Sequence, residues 1–398
     1  MYTGAVIRPE YLAARPEDAG IDSERLEAVF ARAKRDIDDG VLPSCQVAVA
    51  RRGKVAGMRT FGSAEQGGVE KPATDETLYC FFSSTKAVVA AAVWLLFEDG
   101  LLRLDERVAE IIPEFGTNGK DVITVEQVLT HTAGFPYAPF RGTQWADREE
   151  RLGQFAMWRL NWEPGTRFEY HATSAHWVLA EIIERRTKMD FRDYIRARVT
   201  GPMGLDELYL GLPPEHDGRF AKIRYMSEPV APPGGYGEVT PEAVLGFNNP
   251  ELWRVGVPGA GAITSVGEMA LFYQVLVNGG ATVDGRNVIK PETIEFATTV
   301  RTDERHHDLL GNPVNRALSV IVSGGDGNAY YRGFGRVLGP RAFGHGGAGG
   351  QTAWGDPDTG ISLGYCTNGF VDYITLGRRV TALSSLAAGC AIEAAPPK

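Results

Sequence analysis

Long apolar runs, basic clusters and closely spaced cysteines are all missing from this chain, and each absence narrows what it can be. The longest apolar run falls far short of the roughly 20 residues that a membrane-spanning helix needs. No basic cluster exceeds two or three residues, and 41 basic against 50 acidic residues leave a net charge of −9. That balance favours solubility and argues against a nucleic acid as partner. Cys45, Cys80, Cys366 and Cys390 stand far apart, mostly among apolar neighbours. They read as buried free thiols, which points to the cytoplasm. Met1 to Gly20 carries Arg8, Glu10, Arg15, Glu17 and Asp18 and no apolar core, so no signal peptide is expected. There is no internal repeat, no G-x-G-x-x-G loop entering a helix and no G-x-S-x-G elbow. His306, His307 and Asp308 sit in a charged loop where neighbouring side chains converge poorly on one ion, so neither a metal nor another cofactor is expected.

What is present suits a globular protein of more than one core: 398 residues, 43% apolar and 23% charged. Ile21 to Asp39 has the periodicity of an amphipathic helix, with Asp22 or Ser23 as cap and Leu26, Val29, Phe30, Ala33 and Ile37 as its apolar stripe. Gln46–Ala50 and Lys54–Gly62 follow as two strands around the turn Arg51-Arg52-Gly53. The middle is helical over 86–99, 105–112, 124–131, 147–159, 174–187, 190–199 and 264–278, interrupted by a Pro/Gly-rich loop from Ser227 to Gly237. Strands return at Arg332–Leu338, Ala342–Gly346, Gln351–Asp356 and Ile361–Thr367, and a helix closes the chain over Tyr373–Ala394. Both ends share a composition that the middle lacks. The expected fold is therefore α+β: an antiparallel sheet flanked by helices and built from 1–85 plus 315–398. A mainly helical domain, 86–314, is inserted, with the active site in the cleft between them.

The chemistry concentrates at Ser83 and Lys86, which open the apolar helix Ala87 to Phe97. A hydroxyl and an amine three residues apart lie on one helical face. Burial lowers a lysine's proton affinity, so a share of Lys86 is neutral and able to take a proton from Ser83. The helix start presents backbone N–H groups to developing negative charge. Ser84 has no lysine at that spacing, since Ala87 stands three residues on. The plainer alternative makes Ser83 or Ser84 a helix cap and lets Lys86 reach water.

Further stretches decide between these. Ile123 to Phe135, Trp162-Glu-Pro-Gly-Thr-Arg-Phe-Glu-Tyr170 and His345-Gly346-Gly347 join Ser83-x-x-Lys86 in order. In these the chain resembles the serine beta-lactamase and penicillin-binding superfamily, in its class C-like branch with the family VIII carboxylesterases, over roughly residues 20 to 390. The resemblance implies that Tyr170 works with Lys86 as general base and acid, its ionised form favoured by the neighbouring amine. It also implies an oxyanion hole from the backbone N–H groups of Ser83 and Ala348. His345, Gly346 and Gly347 would line the substrate site; apart from the resemblance, His171 by its place next to Tyr170, and Tyr137 and Phe140 by their loop-like segment, are expected to line the cleft. His131 is expected to be a structural partner at its helix end.

Two departures matter. The triplet Tyr170-His171-Ala172 ends in alanine where lactamases of the family have asparagine, and His345 stands where they have lysine. Both point to an uncharged ester over a penicillin-like acid. The expectation is a serine carboxylesterase with a small-molecule ester substrate and no nucleic acid or membrane partner. The alternatives are a beta-lactamase or D-amino-acid peptidase using the same groups, and a catalytically silent binding protein.

Overall fold

The computed structural model describes residues 7–139, 144–232, 234–309 and 311–392. Its main sheet has seven antiparallel strands in the spatial order Val69–Pro72, Lys54–Gln66, Ser44–Arg51, Ile361–Thr367, Thr352–Asp356, Phe343–Gly346 and Ile321–Val322. The two ends of the chain meet at its centre, where Cys45 pairs with Thr367 and Arg51 with Ile361. The class is α+β, with helices on both faces and a helical region inserted between the two groups of strands.

Side chains alternate along Ser44–Arg51, and both sets are buried. Cys45, Val47 and Val49 face Leu26, Val29 and Phe30 of helix Ser23–Asp38 and Leu383 of helix Tyr373–Ala388. Ala48 and Ala50 join the larger cluster that contains Met269 and Phe272 of helix Val266–Val277. A strand covered on both faces needs no solvent-facing polar side, so Val47–Ala50 is an unbroken apolar run and even the polar Gln46 is buried. Helix Val266–Val277 lies close to the sheet: a side chain at Gly364 would come within 2.4 Å of the Val266 carbonyl oxygen. The two outer helices are joined by the buried pair Arg379 Nε–Asp36 Oδ2 at 2.7 Å.

The expected strand Arg332–Leu338 is not one. A 3-10 turn, Ala329–Arg332, ends in Gly333 at φ +87°. Arg332 is bound to Asp326 and to the carbonyls of Ser323 and Pro313, which holds this segment as a loop. The short strands Val69–Pro72 and Ile321–Val322 went unpredicted, and the last helix ends at Ala388 rather than Ala394. No described helix is long and apolar enough to cross a membrane.

Candidate active site

Helix Thr85–Glu98 is buried from Thr85 through Leu96, so its whole circumference serves as core. A 3-10 turn, Phe82–Ser84, leads into it. Phe82 sits at φ +44°, a conformation that costs a bulky residue about 1–3 kcal/mol. Its ring is clamped by Phe247 and Phe370 at 5.1 and 5.3 Å. The result is a sharp turn on which Ser83 is half-buried while its neighbours Phe82 and Ser84 are buried.

Lys86 is fully buried and donates to Ser83 Oγ at 3.2 Å and to the carbonyls of Ala172 and Gly259, both at 2.7 Å. A three-stranded sheet, Tyr79–Cys80, Ala262–Thr264 and Tyr209–Leu210, fixes the Gly259 segment beside the helix start. A side chain there would crowd the amine: a Cβ at 259 would stand 3.2 Å from Lys86 Nζ and 3.1 Å from the Ala172 oxygen. No carboxylate pairs with Lys86 among the described residues. Its pKa is driven well below the ordinary lysine value by desolvation and then by the cationic Arg316, with Glu238 opposing.

The Tyr170 ring stands 5.0 Å from Lys86 Nζ, so serine, lysine and tyrosine are gathered at one place. The sequence leaves open which of Lys86 and Tyr170 carries the proton. Burial pushes its phenol up to about 12, only partly offset by Ser83 and Arg316, so it is a protonated phenol at neutral pH. An amine whose charged form is itself disfavoured by burial lends a tyrosinate less support than an ordinary ammonium would.

The strand Phe343–Gly346 closes one side. Ser84 Oγ donates to the His345 carbonyl at 2.8 Å, and a Cβ at Gly347 would meet the Phe81 carbonyl oxygen at 2.6 Å. In the turn that follows, the N–H groups of Gly347, Gly349 and Gly350 are bonded to Gln351 O, Gln351 Oε1 and Gly347 O. That of Ala348 takes part in none of these bonds.

His345 is buried and neutral, its protonation suppressed by desolvation and by Arg316 and Lys86. Its Nε2 accepts from Arg316 Nη1 at 3.1 Å. Sequence reasoning overlooked Arg316, and with it the fixed charge that the change from lysine to His345 removed. The guanidinium lies over the rings of Phe168 and Tyr170 at 5.2 and 5.3 Å. It forms no ion pair among the described residues, and its Nε is buried without a partner. Burial lowers its pKa to about 10, so it stays cationic. Glu238 was overlooked too; its carboxylate accepts from the Thr173 N–H and hydroxyl at 3.1 and 2.9 Å. No motif marks either residue, because each arrives by a long-range contact from a loop.

Other expected residues fall differently. His171 does not line the cleft: it is buried, Nδ1 pairs with the Glu169 carbonyl at 2.6 Å and Nε2 accepts the Phe135 N–H at 3.1 Å. Burial lowers its pKa to about 3, so it is a neutral brace. Tyr137 is exposed at the surface, its hydroxyl on Glu169. Phe140 lies outside the described residues. His131 is buried and accepts the His171 N–H at 3.3 Å. A cavity of about 1220 Å³ lined by Trp145, Arg148, Glu184, Arg192 and Leu252 includes none of Ser83, Lys86 or Tyr170.

Residues 28–383 match the beta-lactamase family. The chain belongs to that family. It is 28% identical over 313 residues to the esterase/beta-lactamase LipL of Mycobacterium tuberculosis, covering 72% of this chain and 68% of LipL. It is similar in structure to a penicillin-binding protein homologue from Caulobacter crescentus, with TM-score 0.77, 27% identity, and 92% and 99% of the two chains covered. It shares its fold with a family VIII carboxylesterase at TM-score 0.77 and 24% identity, covering 96% and 99% of the two chains. This beta-lactamase family member thus shares its fold with the penicillin-binding protein homologue and the carboxylesterase.

Proposed function

We propose that this protein hydrolyses carboxylic esters through an acyl-enzyme on Ser83. The observation that carries the reading is the 3.2 Å contact between Ser83 Oγ and a lysine amine that is fully buried and unpaired by any described carboxylate. Ser44 is also buried, but its hydroxyl donates to Asn368 Oδ1 at 2.6 Å and accepts from Tyr79 at 2.9 Å, with no base beside it. It is a structural serine.

In the proposed reaction neutral Lys86 takes the Ser83 proton as the hydroxyl oxygen attacks the ester carbonyl. The N–H groups of Ser83 and Ala348 receive the oxyanion; one such donor contributes roughly 3 kcal/mol. Tyr170, protonated and facing Ser83, gives a proton to the departing alcohol. Water then enters, loses a proton to the same pair and releases the acid, restoring Ser83. Four free, buried cysteines fit a reducing, cytoplasmic setting.

A fluorophosphonate probe tests the assignment. A single adduct on the Ser83 peptide, lost in Ser83→Ala together with p-nitrophenyl ester turnover, is the expected result. An unlabelled Ser83, under conditions that label an active control enzyme, would sink it.

One observation favours a second reading. Arg316 supplies beside His345 a cation with no anionic partner among the described residues, which suits the carboxylate of a lactam or D-amino-acid peptide. LipL, described as both esterase and beta-lactamase, fits either reading. Comparing a p-nitrophenyl ester with a chromogenic cephalosporin separates them; faster cephalosporin turnover reverses the order.

A further inference from the structure

The triplet that begins with Tyr170 ends in Ala172, a residue with no polar side chain to offer Lys86. The backbone there is nonetheless held from both sides. The carbonyl of the Ala172–Thr173 peptide accepts from Lys86 Nζ at 2.7 Å. The N–H of the same peptide donates to Glu238 Oε2 at 3.1 Å, and the Thr173 hydroxyl donates to that oxygen at 2.9 Å. One peptide group therefore stands in series between an acid and the amine. A carboxylate on the N–H side draws electron density toward the carbonyl oxygen, which strengthens its bond to an ammonium.

We propose that Glu238 is a positioning residue for proton transfer: through the Ala172–Thr173 peptide it orients Lys86 toward Ser83 and sets how readily Lys86 holds a proton. This rests on the reading of Lys86 as the base. The surroundings of Lys86 support a tuning role. Arg316 and Glu238 exert fields of opposite sign on it. Tyr170 faces it as a neutral phenol, and His131, His176 and His345 are kept uncharged by burial. Glu238 is itself raised to about 7, mainly by burial, against its Thr173 bonds and Lys86. It contributes a negative charge mainly above neutrality.

Glu238→Gln keeps an oxygen for both Thr173 donors and removes only the charge. Neutral Lys86 is the working form, so the ester kcat/KM rises with pH through the Lys86 titration. Without the carboxylate that titration falls, and the acid limb moves to lower pH by about one unit. Thr173→Val, which weakens the hold on the ionised carboxylate, moves it the same way by less. Lys86 can also be read directly, by 13C NMR titration of lysine-labelled protein, its resonance being the one lost in Lys86→Arg. A Glu238→Gln variant with reduced rate but an unmoved limb and an unmoved Lys86 titration would overturn the proposal and leave Glu238 a mere loop anchor. Should the wild-type protein turn over no ester, the reading of function fails by itself. The NMR titration still decides the coupling between Glu238 and Lys86.

Discussion

Ser84 Oγ donates to the His345 carbonyl at 2.8 Å, tying the turn that carries the candidate nucleophile to the strand that borders it. The residue next to Ser83 is thus a cross-link between two elements 261 residues apart in sequence. Of two adjacent serines, one is committed to structure and the other is left half-buried beside an amine.

Ser84→Ala should therefore lower stability without abolishing labelling. Loss of one buried hydrogen bond costs about 1–3 kcal/mol when the partner carbonyl is left unsatisfied. Urea unfolding reads the loss, and a fluorophosphonate adduct should persist on Ser83. Disappearance of the adduct in a folded variant would assign the nucleophile wrongly.

Lys86→Met should reduce ester kcat/KM by about 10²- to 10⁴-fold, the range for a positioned general base. The acid limb of the pH profile should vanish with it, because the titrating amine is gone. A methionine variant that keeps the wild-type limb would show that another group accepts the proton.

Arg316→Gln removes the cation that depresses Lys86. Lys86 then holds its proton to higher pH, so the acid limb should move up, opposite in sign to the shift expected for Glu238→Gln. At a pH on that limb the rate falls; well above it the loss is smaller. An unmoved limb would mean that Arg316 does not act through Lys86.

Gly259→Ala places a methyl group 3.2 Å from Lys86 Nζ and 3.1 Å from the Ala172 oxygen. Displacing the amine by a fraction of an ångström should lower kcat/KM by up to about 10²-fold. The far-ultraviolet circular dichroism should be unchanged. Wild-type kinetics would show that the amine has slack the geometry does not suggest.

Asp36→Asn leaves Arg379 buried opposite a neutral amide. Breaking one side of such a pair costs about 3–5 kcal/mol, and urea unfolding should show a loss of that order. The pair joins the outer helices and includes none of Ser83, Lys86 and Tyr170, so ester kcat/KM of the folded variant should stay near the wild-type value.

Much of the sheet was legible because its strands carry local signals. The turn Arg51-Arg52-Gly53 announces the first hairpin, and Asp356 to Gly360 announces the turn between Thr352–Asp356 and Ile361–Thr367. Arg332–Leu338 misled for the same reason: Phe334, Val337 and Leu338 are set among glycines there, but the guanidinium of Arg332 is bound to Asp326 and two carbonyls. Two-residue strands such as Ile321–Val322 are too short to leave any periodicity. His171 was placed in the cleft by adjacency to Tyr170, whereas both its ring nitrogens serve backbone groups beneath it.

By itself the sequence determined the spacing of Ser83 and Lys86, which allows a hydroxyl and an amine to share one face at a helix start. It also determined which segments were apolar enough to be strands or core helices. Tertiary structure alone decided the electrostatics of the site. Arg316 meets His345 across 29 residues and Glu238 meets Thr173 across 65, both from loops whose paths follow from packing rather than local preference. Proton affinities depend on burial and on charges brought near in space, so the state of Lys86 and Tyr170 could be known only once the chain was folded.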